Sequence, residues 1–371
     1  MKFEVSSSQL LDTLQLASGA VSPNPVLPVL NDFLFELRGE DLTITGTNLE
    51  TTIVCQLKVL MGEEGTIAVP AKIILETLRA LPDQPVSFYV DRDTHGILLR
   101  SSYGEYKLAG DNPEDFPTVP EPIEAKSFII PSTILTKGIN NTVFAAGNDE
   151  LRLAMTGILC KIDEGKIVFV ATDAHKLVKY TYAKANAEFS DTFIMPKKGF
   201  NLLKNSLQPN VDVEVVFDKK NAFFTFNDTM VICRLLDAKY PDYNSVIPVE
   251  NPNLLTIGRR DFQNSLRRIS IYSNKSSNQV ILNLSDNSLT ISAQDIDFSN
   301  EATEQLACSY LGEPMTIGFN AKFMIEMLGV IDSDEIMLEL SKPSRAGILL
   351  PAEQAEGQHL LMLAMPVMMS N

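Results

Sequence analysis

In Ala171-Thr172-Asp173-Ala174-His175 a carboxylate and an imidazole stand two residues apart. These are the residue types of a general-base dyad. Such chemistry also needs a nucleophile, or further metal ligands, brought in by other elements. Only three histidines occur in the 371 residues, and no serine or cysteine nucleophile motif accompanies the pair. Cys55, Cys160, Cys233 and Cys308 lie far apart, without zinc-finger or Cys-x-x-Cys spacing. Each sits in an apolar, strand-like context, so they read as reduced, buried thiols of an intracellular protein. No glycine-rich phosphate loop is present. The residues argue against catalysis, a metal site or a bound cofactor.

What does recur is a lysine at the head of a helix. Met195-Pro196-Lys197-Lys198-Gly199-Phe200-Asn201-Leu202-Leu203-Lys204 reads as a strand end, a proline in a first helical turn, then a helix. At 100° per residue Lys197, Lys198, Asn201, Lys204 and Asn205 form one polar arc, opposite Phe200, Leu203 and Leu207. The pattern appears again at Val69-Pro70-Ala71-Lys72 and at Phe319-Asn320-Ala321-Lys322. Pro70 to Pro196 is 126 residues and Pro196 to Asn320 is 124. Two more markers keep that period. A short strand runs into a helix at Phe3, Phe128 and Leu255, and an alternating strand passes Gly46, Ala171 and Ala293 on its way to a turn. The chain is therefore a triplicated domain, with expected bounds 1–122, 123–248 and 249–371.

The elements that position these lysines follow from the pattern. Six helices are expected, over 8–20, 71–81, 132–145, 197–207, 259–273 and 321–330. Between them lie short alternating segments such as Asp32–Leu37, Leu42–Thr45 and Thr51–Val59, which read as antiparallel strands. Each third is then about eight strands with two helices sharing one face, an α+β fold. The proline-rich stretches 112–122 and 240–248 read as linkers. Strand edges must be paired or covered, so three like domains in series are expected to join edge to edge around a ring.

Hydrophobic residues make up 45% of the chain, enough for packed cores, and the formal charge of −16 argues at first against nucleic acid. Distribution matters more than the sum. The six helical segments hold eleven basic residues against four acids, a net +7, so the remainder carries −23. One surface is basic inside an acidic envelope. The first residues lack the apolar core of a signal peptide, and Leu360–Met369 is too short to span a bilayer. A cytoplasmic protein without membrane contact is expected.

Four short motifs, in register with the repeats, carry a resemblance over the full length. They are Ala171-Thr172-Asp173-Ala174-His175-Lys176-Leu177, Lys239-Tyr240-Pro241-Asp242-Tyr243, Gly318-Phe319-Asn320 and Met365-Pro366-Val367. The chain resembles the bacterial DNA sliding clamps, the beta subunits of the replicative DNA polymerase. The resemblance implies three clamp domains per chain and a ring formed as a head-to-tail homodimer. Helices would line a hole around double-stranded DNA, held without sequence specificity. It implies as partners the replicative polymerase, a clamp loader, and other DNA polymerases and repair enzymes.

The same resemblance assigns residues. A partner-peptide pocket would use Met155, Thr172, Ala174, His175, Leu177, Pro241, Val246, Leu363, Met365, Pro366 and Val367. The dimer contact would use Ile73, Tyr106, Ile271, Tyr272, Glu301 and Glu304. DNA would meet Lys72, Arg79, Lys198, Lys204, Asn320 and Lys322, with Lys137, Arg259 and Arg260 contributing less, and Asn24 standing where a basic residue is common. Such clamps usually carry Gly and Arg where this chain has Ala174 and Lys176, and a basic residue where it has Ser245. They also end sooner after the Met-Pro run. Two other functions compete with this one: a hydrolase built on a repeated sheet, and a β-rich scaffold that never meets DNA. On either alternative the basic helix faces would be merely solvated surface.

Overall fold

The computed structural model describes residues 1–22 and 27–368. Asn24, with the rest of 23–26, and the last three residues lie outside them. The first third contains β1 (Lys2–Ser6), α1 (Ser7–Ala17), β2 (Asp32–Arg38), β3 (Asp41–Thr47), β4 (Thr51–Lys58) and β5 (Leu60–Glu63). It continues with β6 (Gly65–Pro70), α2 (Ala71–Ala80), β7 (Pro85–Val90), β8 (Gly96–Ser101) and β9 (Gly104–Ala109). The second has β10 (Lys126–Pro131), α3 (Ser132–Thr142), β11 (Gly157–Asp163), β12 (Lys166–Thr172) and β13 (Lys176–Tyr182). After these come β14 (Asp191–Pro196), α4 (Lys197–Ser206), β15 (Asp212–Phe217), β16 (Asn221–Phe226) and β17 (Thr229–Arg234). The last third begins with β18 (Asn253–Gly258), α5 (Arg259–Ile269), β19 (Gln279–Ser285), β20 (Ser288–Asp295) and β21 (Asn300–Ala307). It ends with β22 (Ser309–Leu311), β23 (Met315–Asn320), α6 (Ala321–Gly329), β24 (Glu335–Leu340), β25 (Gly347–Pro351) and β26 (Gln358–Ala364).

The six helices lie where the 3.6-residue spacing of apolar side chains puts them, and α1, α3 and α5 each run on into a turn of 3-10 helix. Helix α2 buries Ala71, Ile74, Leu75 and Leu78, and α4 buries Gly199, Phe200, Leu203 and Ser206. Each helix thereby turns its lysines and arginines to the other side. One expectation needs correction. Pro70 and Pro196 do not occupy a first helical turn; each is the last residue of a strand, β6 or β14. A proline cannot donate to a ladder, so it ends the strand, and its fixed φ leads the chain into the helix that follows. In the third copy Asn320 holds that place as a helix cap, its Oδ1 accepting from the backbone N–H groups of Lys322 (3.0 Å) and Phe323 (3.4 Å).

The chain forms two compact units, Met1–Thr133 with Lys198–Leu235, and Ile134–Lys197 with Leu236–Asn371. The middle third is thus shared between them. The first unit contains a sheet ordered β5-β1-β7-β8-β9 and another ordered β10-β15-β16-β17-β4-β3-β2-β6. The second contains β14-β11-β12-β13-β26-β25-β24-β18-β22 and β21-β20-β19-β23. Among the described residues every strand pair is antiparallel, and the short β5, not expected from the sequence, pairs with β1.

Both long sheets are made by joining thirds. In the first unit β17 pairs with β4, Thr229 facing Cys55 and Cys233 facing Thr51. In the second, β26 pairs with β13 from Lys176 facing Ala364 to Tyr182 facing Gln358. Strands β4 and β13 hold the same place in their thirds, as do β17 and β26. One kind of edge therefore meets the other kind twice. The remaining strands of these two kinds, β9 and β21, stand at the ends of their sheets.

The repeat extends to individual hydrogen bonds. In the β12–β13 turn, Thr172 Oγ1 donates to the Lys176 carbonyl (2.7 Å) and accepts from Ala174 N–H (3.1 Å). Asp173 Oδ1 accepts from the N–H groups of His175 (2.9 Å) and Lys176 (2.8 Å). In the β3–β4 turn Thr47 and Asn48 make the same four contacts to Thr51, Leu49, Glu50 and Thr51. The small residue Gly46 before that turn is needed: a Cβ there would lie 2.5 Å from the Ala17 carbonyl oxygen of α1. No helix among the described residues is long and apolar enough to cross a membrane.

Candidate functional site

The β12–β13 turn, the segment after β17 and the end of β26 converge in the second unit on a cavity of about 200 Å³. Its floor belongs to a packed core that includes Leu159, Val168, Val170, Leu177, Ile194, Tyr243, Ala346 and Leu363. Nine of the eleven residues assigned to the pocket line it: Met155, Thr172, Ala174, His175, Leu177, Pro241, Val246, Leu363 and Met365. Pro366 and Val367 do not. They lead the tail away, and Val367 N–H donates to the Gly318 carbonyl at 2.9 Å. Gly318 is required by that approach, because a Cβ there would meet the Val367 carbonyl oxygen at 2.8 Å. Lys176, Asp242 and Tyr243 also line the cavity, although the sequence reading did not assign them. All three stand inside the motifs that carry the resemblance, which was the available signal.

The dyad reading of Asp173 and His175 finds a structural role instead. The Asp173 carboxylate closes its own turn, as Asn48 does in the first third, and the His175 ring stacks on Phe323 of α6 with centroids 6.5 Å apart. The pocket is apolar at its centre and wide enough for one or two side chains. Val246 and Met365, about half exposed, also line a second cavity of about 510 Å³ with Val249, Ser344, Arg345 and Ala346. An extended peptide crossing that ridge could place apolar side chains on both sides. Behind the pocket, Tyr240 gives its hydroxyl to the Val170 carbonyl (3.2 Å), and burial raises its pKa well above the usual phenol value.

The residues assigned to DNA differ in their freedom. Lys72 and Arg79 are exposed on α2, Lys198 is exposed and Lys204 half-buried on α4, and Lys322 is exposed on α6. Asn320 is occupied, because besides capping α6 it donates Nδ2 to the Ser277 carbonyl at 3.1 Å. Among the lesser candidates, Arg260 is exposed, and Lys137 pairs with Asp332 at 3.4 Å. Arg259 is spent on the carbonyls of Ser333 (3.0 Å) and Leu328 (3.2 Å).

The residues assigned to the dimer contact flank the two sheet ends. Tyr106 lies on β9, and Ile73, 47% exposed, on α2. Ile271 and Tyr272, 65% and 43% exposed, follow α5, while Glu301 and Glu304 lie on β21. Glu304 is already engaged: the Arg268 guanidinium grips it with two bonds of 2.7 Å and holds its carboxyl below the usual range. Exposed Tyr103 in the β8–β9 turn, and Ile296 and Phe298 between β20 and β21, were not assigned. Nothing in their local sequence distinguishes them from ordinary turn residues.

Three strand-and-helix repeats with an apolar cleft at a joint between two of them define a clamp-type architecture. The family comparison agrees along the chain. The N-terminal, central and C-terminal domains of the DNA polymerase III beta subunit match residues 1–120, 129–242 and 244–366. The chain belongs to this family, the beta sliding clamps. It is 28% identical over 365 residues to the beta sliding clamp of Pseudomonas aeruginosa, covering 98% of this chain and 99% of that one. It is 29% identical over 371 residues to that of Vibrio cholerae, covering 99% and 100%. A crystal structure of the Pseudomonas aeruginosa clamp bound to griselimycin covers 100% of both chains, with a TM-score of 0.94 at 28% identity. That of Bacillus subtilis has the same TM-score at 24% identity and supports the fold. The protein is a non-catalytic processivity subunit of a DNA polymerase.

Proposed function

We propose that two copies of this chain close head to tail into a ring around double-stranded DNA, tethering the replicative polymerase and other DNA enzymes through the pocket beside Met365. The observation that carries the reading is the pair of sheet ends, β9 and β21. They are the two edge types that the repeat joins inside the chain, as β17 with β4 and β26 with β13. A second copy supplies the missing partner for each, and such a contact closes by rotation. On this reading the thirds 1–122, 123–248 and 249–371 act as the domains, six to a ring.

The exposed lysines and arginines of α2, α4 and α6 then face the hole. Contacts to phosphate alone suit a ring that must slide, because they carry no sequence information. Acid repulsion elsewhere keeps DNA off the outer surface. Opening the ring falls to an ATP-driven clamp loader, and repair enzymes share the pocket with polymerases in the cytoplasm. The test is polymerase synthesis on primed circular DNA with and without loader. Long products that need both loader and this chain are the expected result. Products that are equally short with and without the chain would leave the scaffold reading in its place.

A further inference from the structure

Lys176 is a lysine whose side chain is only 6% exposed. Its Nζ lies 2.6 Å from Glu326 Oε2, 3.7 Å from Asp173 Oδ2 and 4.4 Å from the centre of the Phe323 ring. A buried ammonium needs such partners. They come from two places: Asp173 from the pocket turn, and Glu326 and Phe323 from α6. Glu326 stands four residues after the exposed Lys322 on the same helix, the spacing at which opposite charges on a helix pair. Its carboxylate is instead drawn to Lys176.

Resting on the reading of the cleft as a peptide site and of α6 as a DNA-facing helix, we propose that Lys176 is a positioning residue serving both. It fixes the pocket turn against α6, and it withholds the Glu326 carboxylate from Lys322, leaving that lysine's charge for phosphate. Removing the ammonium frees a carboxylate beside Lys322 and loosens the wall that carries His175. Arginine at this place keeps the charge and both carboxylate contacts.

The experiment uses the full-length protein. Binding to a short linear DNA duplex is followed by fluorescence anisotropy from about 50 to 200 mM salt. Binding of a synthetic peptide containing leucine and an aromatic residue is measured alongside, and thermal melts establish that each variant folds. Lys176→Met is expected to weaken peptide binding about tenfold and to lower the slope of log affinity against log salt by roughly 0.9, one phosphate contact. Adding Glu326→Gln is expected to restore the DNA slope while peptide binding stays weak. Lys176→Arg keeps both near the parent values. Lys184→Met, which loses the same charge from an exposed pair with Glu356, leaves both unchanged. A parent-like slope in Lys176→Met, or no recovery in the double variant, overturns the proposal. If Lys176→Met does not fold, Glu326→Gln alone decides, since parent-like peptide binding there overturns the proposal equally. Failure of the underlying reading is separate and shows in the parent protein, as absent peptide binding or absent salt-dependent DNA binding.

Discussion

The backbone N–H of Met365 donates to the carbonyl of His175 at 2.9 Å, pinning the end of the chain to the turn that carries the pocket wall. The wall is therefore shared between segments almost two hundred residues apart. Deleting the chain from Met365 onward removes one side of the cleft while leaving β26 and its ladder to β13 in place. The truncated protein should melt near the parent temperature and keep the parent's oligomeric state. Peptide affinity and polymerase stimulation should fall at least about tenfold, roughly 1.4 kcal/mol. Normal stimulation by the truncated protein would put the docking site elsewhere.

At the tip of the same turn Ala174 has φ +76°, the left-handed region that favours glycine. Holding an L-residue there costs about 1 kcal/mol. Ala174→Gly should recover part of that, less the entropy glycine adds to the unfolded chain, and should widen the pocket by a methyl group. A melt equal to or above the parent, with peptide affinity changed, is the expected pair of results. A marked loss of stability would mean the methyl packs better than the geometry indicates.

Lys72, Lys198 and Lys322 are each the second residue of a helix, and all three are exposed. Changing all three to glutamate should weaken DNA binding and flatten its salt dependence by close to three phosphate contacts, a slope change of about 2.7. The melting temperature should barely move, because none of the three is buried. An unchanged slope would place these lysines away from DNA.

The repeat was legible in the sequence because periodic apolar positions survive divergence: Phe200 and Leu203 declare a buried face whatever surrounds them. The pocket residues were legible only by resemblance. Local sequence carries no record that Leu177 will face Leu363 across a ladder, since that pairing is decided by the joining of two thirds. Asn320 and Arg259 looked like free polar side chains, and the structure spends them on a helix cap and on carbonyls. Lys176 departs from the Arg usual in such clamps, but its burial against Glu326 depends on where α6 packs. Side chains that bond to distant backbone are the part a linear reading cannot see.

Asp32 is buried at the start of β2, where burial first, and then a hydrogen bond shared with Asp111, push its pKa up to about 7. The native protein thus holds a proton on Asp32 between about pH 4 and 7 that the unfolded chain releases. Stability from this group is complete below about pH 4, declines as pH rises toward 7, and is level above that. Asp32→Asn keeps the neutral shape and should lose that slope. Relative to the parent, the variant should gain about 1–2 kcal/mol between pH 5 and 7.5, within the full linkage value. Denaturant melts at three pH values test this, and parallel pH profiles for the two proteins would refute it.

On the proposed ring, closure would place the heaviest demand on Ile271 and Tyr272, which are 65% and 43% exposed in the single chain. They sit on the turn after α5, which packs beside β20 and β21, so a strand adding to β21 would cover them. The apolar area gained by burying both is worth about 3–5 kcal/mol at 25 cal/mol per Å², against a ladder whose backbone groups exchange water for each other at modest net gain. On that reading the side chains decide whether the ring holds. Ile271→Ala with Tyr272→Ala should give a folded monomer, because neither residue is part of the buried core. Sedimentation at micromolar concentration should show the parent at twice the mass of a 41.0 kDa chain and the variant at one. The variant should still bind peptide, since the cleft lies within one chain, but it should no longer support long synthesis on circular DNA. A dimer that survives both substitutions would mean that the ladder, or Tyr103, Ile296 and Phe298, holds the ring instead.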